Sequence, residues 1–120
     1  MRETEREATA IADACTPSLD VVFDVLANQR RRFVLYHLHD TTDGIATIDE
    51  IATYVASLEE TDADPAEHRL HVVTSLQHMH LPKLEDAGIV EYDQRSETVR
   101  YWRQPSLEEW LEHACHKELS

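Results

Sequence analysis

Glycine, cysteine and long apolar runs are scarce in this sequence, and each scarcity excludes a class of protein. Gly44 and Gly88 are the only glycines in 120 residues, so no glycine-rich loop can cradle a phosphate group. Cys15 and Cys115 lack C-x-x-C spacing, which argues against a disulfide framework or a zinc ribbon. No run reaches the roughly 18 apolar residues that span a bilayer, and residues 1–15 lack the features of a signal peptide. We therefore expect a cytoplasmic protein.

Positive charge is scarce as well. The chain has 24 acidic residues against 11 Lys and Arg, a net charge of -13, and its length allows one modest core. Such a surface repels nucleic acids and anionic membranes through its overall field, so a polyanionic partner would need a local basic patch. Residues 41–65 contain seven acidic residues and no basic one, whereas residues 28–40 contain three arginines and one aspartate. The arginine segment is thus the candidate patch.

Capping residues mark the predicted helix starts. A Ser, Thr or Asp followed three residues later by Glu is typical of a helix N-terminus. The pattern occurs at Thr4, Thr47, Asp64 and Ser106. Two simpler caps, Ser18 and Asn28, predict helices over residues 19–26 and 29–39.

A long helix is predicted over residues 66–87, closed by Gly88 and kinked or broken at Pro82. A uniform 100° projection places its apolar side chains on one buried arc. This arc holds Leu70, Val73, Leu76, His80 and Leu84. The opposite face holds His71, Thr74, Ser75 and His78. Short polar side chains on that face suit base edges and phosphates, and we interpret His80 as a core histidine.

Strand-like alternation replaces the helical period after Gly88. Residues 89–93 and 98–102 predict an antiparallel hairpin with Arg95 projecting from its tip, and residues 45–47 can form a small third strand. The sequence thus predicts a mainly α-helical fold with a small β-hairpin.

Two segments in this order resemble ArsR-like winged helix-turn-helix regulators, most closely small haloarchaeal proteins of that class. "LANQRRRFVLYHL" (26–38) is similar to the family's A-[DN]-P-T-R segment, with Ala27, Asn28 and Arg31 in matching positions. "HLPKLEDAGIVEY" (80–92) is similar to its H-L-x-x-L-x-x-A-G-L-V segment.

The resemblance implies a DNA-binding transcriptional regulator of winged helix-turn-helix fold. The winged domain would cover residues 19–104, with helical extensions at 1–18 and 105–120. One departure is the acidic linker "EETDADPAEHR" (59–69), which is longer than the usual tight turn and leaves the angle between its helices open.

The three consecutive arginines divide by helix face. Arg31 shares the apolar face of its helix, so we expect a structural role on a carboxylate or on helix-end carbonyls. Arg30 and Arg32 should point outward, and because cations oppose the helix dipole they need an anion. That anion could be DNA phosphate or a carboxylate such as Asp20 or Asp24. The full predicted DNA-contacting set is Arg30, Arg32, His71, Thr74, Ser75, His78, Arg95, Arg100 and Arg103.

The apolar stripe of the last helix predicts a homodimer, because two DNA-reading helices one turn apart strengthen binding. This stripe consists of Leu107, Trp110, Leu111 and Ala114. Two alternatives stay open. The chain could be a winged-helix module that contacts only proteins, or a metal-responsive regulator using His113, Cys115 and His116. We expect no cofactor and no enzymatic activity, since no catalytic motif is visible.

Overall fold

The computed structural model describes residues 18–119, which form helices and a small antiparallel sheet in a winged-helix-like arrangement. The elements are α1 (Leu19–Leu26), α2 (Gln29–Asp40), β1 (Ile45–Thr47), α3 (Ile48–Leu58), α4 (Pro65–Ser75), a π turn (Leu76–His80), α5 (Leu81–Asp86), β2 (Val90–Asp93), β3 (Thr98–Tyr101) and α6 (Pro105–Leu119). We call the continuous segment of α4, the π turn and α5 the long helix. The predicted helix that starts at Thr4 lies outside the described residues.

Most helices begin where their capping residues predict. Side-chain oxygens accept first-turn backbone N–H groups at Ser18, Asn28, Thr47 and Asp64. Thr47 and Glu50 form a reciprocal capping box. The prediction for Ser106 is wrong, because α6 begins at Pro105, two residues before the start that a cap at Ser106 would give, and the missing N–H of proline costs nothing in a first turn.

The predicted hairpin and third strand are confirmed. The sheet has the order β1-β3-β2, and all pairs are antiparallel. Val90 pairs with Tyr101, and Ala46 pairs with Val99. Gly44 precedes β1 with φ +74°, and a Cβ there would lie 3.1 Å from the Tyr101 carbonyl oxygen. A side chain at position 44 would therefore be strained and crowded.

Both edges of the sheet are closed by carboxylates. On β1, the N–H groups of Ile45 and Thr47 donate to Asp43 Oδ1 and Glu50 Oε1 at 3.0 and 2.9 Å. On β2, the N–H of Tyr92 donates to Glu85 Oε2 at 3.1 Å. These donors face away from β3, so the acidic side chains occupy positions that a further strand would use.

The core draws on every helix and strand. α2 alone contributes five buried side chains, Phe33, Val34, Leu35, Tyr36 and Leu38. Leu107 and Leu111 of α6 are fully buried in the same cluster. Within residues 18–119, no helix is long and apolar enough to cross a membrane.

The π turn changes which residues of the long helix are buried. The N–H of Leu81 donates to the Leu76 carbonyl, five residues back, just before Pro82, which has no N–H to give. The predicted kink or break does not occur at Pro82 itself: the irregularity is the π turn at Leu76–His80, and the helix continues through Pro82. The turn holds an extra residue, so a uniform 100° projection cannot describe both halves. The core-facing residues are Val72, Leu76, His80, Leu81 and Leu84.

Two predictions for the buried arc therefore fail. Leu70 is 65% exposed, and Val73 is half-buried rather than central to the core. The core position in that part of α4 belongs to Val72, which is fully buried.

Candidate nucleic-acid interface

Arg31 fastens the start of α2 to the end of α1. Its Nε donates to the Val25 carbonyl at 3.0 Å, and its Nη2 donates to the Asp24 carbonyl at 2.9 Å. Carbonyls in the last turn of a helix lack partners within that helix, so the guanidinium satisfies two of them. The predicted structural role of Arg31 is confirmed in its helix-end form.

Arg30 does not point outward as predicted, because it is tied to the linker and to the long helix. Its Nε and Nη2 donate to the two carboxylate oxygens of Glu59 at 2.8 and 2.7 Å, and its Nη1 donates to Ser75 Oγ at 2.9 Å. Ser75 is thus half-buried and engaged, contrary to its predicted place on the exposed face. The anion that Arg30 requires comes from Glu59, not from Asp20 or Asp24.

Glu59 links three parts of the fold. Glu59 follows α3 directly and forms a salt bridge with Arg30 of α2. Its Oε1 lies 3.0 Å from Nε2 of His68 in α4. Burial raises the pKa of Glu59, but the hydrogen bonds and charge of Arg30, with a contribution from His68, outweigh burial and hold the pKa below its ordinary value. The ion pair therefore sets the position of α4 where a tight turn is missing.

Arg32 is also turned inward, contrary to prediction. Its Nε and Nη2 donate to the two oxygens of Glu118 at 2.8 Å each, and its Nη1 donates to the Leu26 carbonyl at 2.6 Å. Tyr36 and Gln29 add hydrogen bonds to the same carboxylate at 2.8 and 2.9 Å. Hydrogen bonds from Arg32, then from Gln29 and Tyr36, outweigh burial and lower the pKa of Glu118 to about 2. The network joins the end of α6 to α2.

The outward face of the long helix keeps most of its predicted members. His71, Thr74 and His78 are exposed, as expected. Leu70 joins this face, and sequence reasoning misses it because the uniform projection places it in the core. Arg69 is engaged with Asp49 at 2.7 Å and with Thr53 at 3.2 Å.

The hairpin carries two arginines whose charge is not neutralised by a contact. Arg95 is exposed in the turn, as predicted, and Arg100 is exposed on β3, with its guanidinium 5.4 Å from the Trp102 ring centroid. Among the seven arginines of residues 18–119, these two alone make no guanidinium hydrogen bond or ion pair. Glu91 lies opposite Arg100 in the strand register but forms no ion pair with it.

Unlike Arg95 and Arg100, Arg103 forms hydrogen bonds and an ion pair through its guanidinium group. Its guanidinium donates to the Thr41 carbonyl at 2.6 Å, to the His39 carbonyl at 3.1 Å and to Glu108 at 3.1 Å. These contacts hold the end of the sheet against α2 and α6. The predicted phosphate contact of Arg103 is therefore replaced by a structural role.

The π turn and the hairpin form one groove. Gln77 and His78 line it from the helix, and Tyr92, Gln94 and Glu97 line it from the hairpin. Gln77 Nε2 lies 3.5 Å from the Tyr92 hydroxyl. The hairpin is thus beside the exposed face of the long helix, as a wing is.

His80 lies in the core, as predicted. Only 4% of its surface is exposed, and its Nδ1 has no hydrogen-bond partner within the described residues. Burial, then the charges of Arg31 and Arg30, lower the pKa of His80 to about 4. The imidazole is therefore neutral near pH 7.

In the folded protein, only one residue of the predicted dimer stripe remains exposed. Leu107 and Leu111 are fully buried and Ala114 packs against the core, so the prediction that they meet a second copy is wrong. Trp110 remains 39% exposed and packs edge-on against Phe23, with ring centroids 5.2 Å apart. We call the exposed Leu19, Phe23 and Trp110 the aromatic patch.

Metal-ligating side chains do not gather in the described part of the chain. Within residues 18–119, no group of three or more His, Cys, Asp or Glu side chains is placed to hold a metal ion. Cys115 packs against the core, and burial, then the charges of Asp40 and Glu118, raise its thiol pKa. The candidate cluster on α6 therefore has no support from geometry.

Comparison with known proteins identifies a family for this chain. No curated protein and no solved structure matches the sequence significantly. A family model described as a domain of unknown function, DUF7344, matches residues 23–100. The match runs from α1 to β3 and covers well over half of the chain. The chain therefore belongs to the DUF7344 family.

Proposed function

We propose that this protein is a transcriptional regulator that binds double-stranded DNA with the exposed face of its long helix and with its hairpin wing. One observation carries the proposal. Arg95 and Arg100, the two arginines of residues 18–119 whose guanidinium groups make no hydrogen bond or ion pair, both lie on the hairpin, and Tyr92, Gln94 and Glu97 of the same hairpin line the groove that it shares with the π turn. Unneutralised arginines attract phosphate, and their position suits a wing that contacts the backbone next to the helix.

The face of the helix offers chemistry that fits base edges. His71 and His78 can donate or accept hydrogen bonds, and Thr74 can do both. A helix in the major groove meets donors and acceptors of both kinds. The geometry thus supports a helix that reads bases while the wing holds the backbone.

The negative charge of the protein opposes the approach of DNA. With a net charge of -13, the overall field repels phosphate, and the linker and α3 are acidic. At molar salt the Debye length falls to about 3 Å, so distant repulsion is screened and close contacts remain. Binding should therefore depend on a few wing contacts rather than on long-range attraction.

Removing the two wing arginines tests the proposal. We expect the double variant Arg95→Ala/Arg100→Ala to weaken binding to every duplex alike, because phosphate contacts position without specifying. The slope of log K against log salt should become shallower by about 0.9 for each phosphate that the variant no longer neutralises. Fluorescence anisotropy with labelled promoter duplexes over a salt series measures both quantities.

Lys117→Ala is the matched control, because it removes an exposed positive charge from α6, away from the wing. It should leave affinity and slope nearly unchanged. Equal binding by the double variant and the unmodified protein would contradict the proposal.

The proposal includes a homodimer that meets through the aromatic patch, since paired half-sites strengthen DNA binding. Trp and Phe at an exposed, mutually packed position are typical of interface anchors. We expect the protein to sediment as a dimer at micromolar concentration and Trp110→Ala to sediment as a monomer. Trp102→Ala removes another exposed tryptophan, on the sheet, and should remain dimeric. A monomeric unmodified protein would contradict this part.

A second candidate function is a module that contacts proteins only. It is favoured by the inward contacts of Arg30, Arg32 and Arg103, which remove three of the predicted phosphate ligands. Under this alternative the aromatic patch binds a different protein. Absence of binding to any duplex at every salt concentration would favour it over DNA binding.

A further inference from the structure

Leu70 is the most exposed of the large apolar side chains in residues 18–119. Its 65% exposure lies on the outward face of α4, one turn before Thr74. The core side of that part of the helix is occupied by Val72 and Leu76, which are fully buried. The Leu70 side chain therefore points to solvent and not into the core.

The place of Leu70 along the helix matters for recognition. α4 begins at Pro65 after the Asp64 cap, so Leu70 stands in its second turn. In helix-turn-helix proteins, the N-terminal residues of the reading helix approach the base edges most closely. Leu70 thus occupies a reading position under the proposed function.

The neighbouring side chains provide few ways to select a base by hydrogen bonds. α4 contains no Asn or Gln, the residues that pair with adenine. Its one arginine, Arg69, is held by Asp49 and Thr53 rather than left free to contact guanine. Beside the hydrogen bonds that His71 and Thr74 can form, an apolar contact is a further route to specificity on this face.

We propose that Leu70, with the side-chain methyl of Thr74, contacts the 5-methyl group of thymine, so that the protein prefers thymine-containing sites. That methyl is the apolar group that standard bases present in the major groove. The inference rests on the proposed function and names the DNA class that it selects.

The test uses four duplexes of roughly 20 base pairs, about two helical turns. Alternating d(AT) and d(AU) duplexes differ by the thymine methyl alone, and a d(GC) duplex is prepared with cytosine or with 5-methylcytosine. Labelled duplexes are titrated with protein by fluorescence anisotropy at several salt concentrations. The proteins are the unmodified chain, Leu70→Ala and the control Met79→Ala. Met79 is an exposed apolar residue of the same long helix that faces a groove beside α1.

We expect the unmodified protein to bind d(AT) more tightly than d(AU), by on the order of fourfold for each methyl group contacted. Methylating the cytosines should raise affinity for d(GC) in the same sense. Leu70→Ala should bring the d(AT) to d(AU) ratio close to one, and Met79→Ala should retain it.

Three outcomes overturn the inference, and they differ in what they mean for the proposed function. Tight binding to all duplexes without a methyl effect, or a ratio that survives Leu70→Ala, refutes methyl recognition while leaving DNA binding intact. No binding to any duplex refutes the proposed function, and methyl recognition with it.

Discussion

Glutamine in place of Glu118 should lower the free energy of unfolding by about 1 to 3 kcal/mol at pH 7. The carboxylate receives hydrogen bonds from Arg32, Tyr36 and Gln29, and both it and Arg32 are largely shielded from solvent. A neutral amide cannot accept the paired hydrogen bonds of Arg32, so a half-buried cation loses its counter-charge. Urea denaturation followed by circular dichroism measures the loss.

Glu112→Gln provides a matched control on the same helix. Its side chain is 64% exposed and contacts His39 at 3.3 Å, and exposed pairs contribute little to stability. The two variants should therefore differ clearly. If Glu118→Gln unfolds at the same urea concentration as the control, the network does not hold α6 in place.

The same carboxylate gives a pH dependence of known sign. Its pKa is lowered from 4.5 to about 2 in the folded protein. Its stabilising contribution is therefore complete above pH 4.5 and is lost as the pH falls towards 2. Glu118→Gln should remove this part of the acid transition.

His80 should make the protein less stable in a pH range above the one in which Glu118 acts. Its pKa is lowered from 6.5 to about 4 by burial and by nearby arginines. Between these two pH values His80 is protonated in the unfolded chain but not in the folded chain, so the free energy of unfolding decreases as the pH falls. The expected loss of stability between pH 6.5 and 4 is about 3 kcal/mol.

His80→Leu should flatten stability between pH 6.5 and 4, because leucine is apolar and takes up no proton. Glu118→Gln serves as the comparison, since it should keep the His80 slope above pH 4.5. Thermal melts at half-unit pH steps provide the curves. An unchanged slope in His80→Leu would show that another group causes the acid transition.

Local signals predict the elements, and the reason is visible in their caps. Ser18, Asn28 and Thr47 accept hydrogen bonds from residues within three positions, so the short sequence window contains both partners. The hairpin likewise follows from alternation within a few residues of Glu97, whose φ of 58° closes the turn.

Partners far apart in sequence could not be predicted. Arg30 meets Glu59 across 29 positions, and Arg32 meets Glu118 across 86. The helix dipole requires an anion near these arginines, and both have one, but the choice of carboxylate depends on how α3 and α6 pack. An acidic chain has many candidates, and composition does not distinguish them.

The error at Leu70 has a different origin. A single helical period over residues 66–87 crosses the π turn, so it places the two halves of the helix on one false arc. Pro82 inside the helical pattern is the available signal, because it removes a donor and crowds the preceding turn. When the angular phase of the helical projection is shifted at that point, Leu70 falls on the exposed face.

The carboxylates that close the sheet edges restrict the forms of assembly open to this protein. A neighbouring chain that presents an extended strand meets Asp43 and Glu50 at β1 and Glu85 at β2 in the places where its carbonyls would bond. Many proteins guard such edges with lysine, a residue that occurs only twice in this chain. Within residues 18–119, these carboxylates therefore disfavour the addition of a further strand at either edge of the sheet and favour assembly through side-chain surfaces.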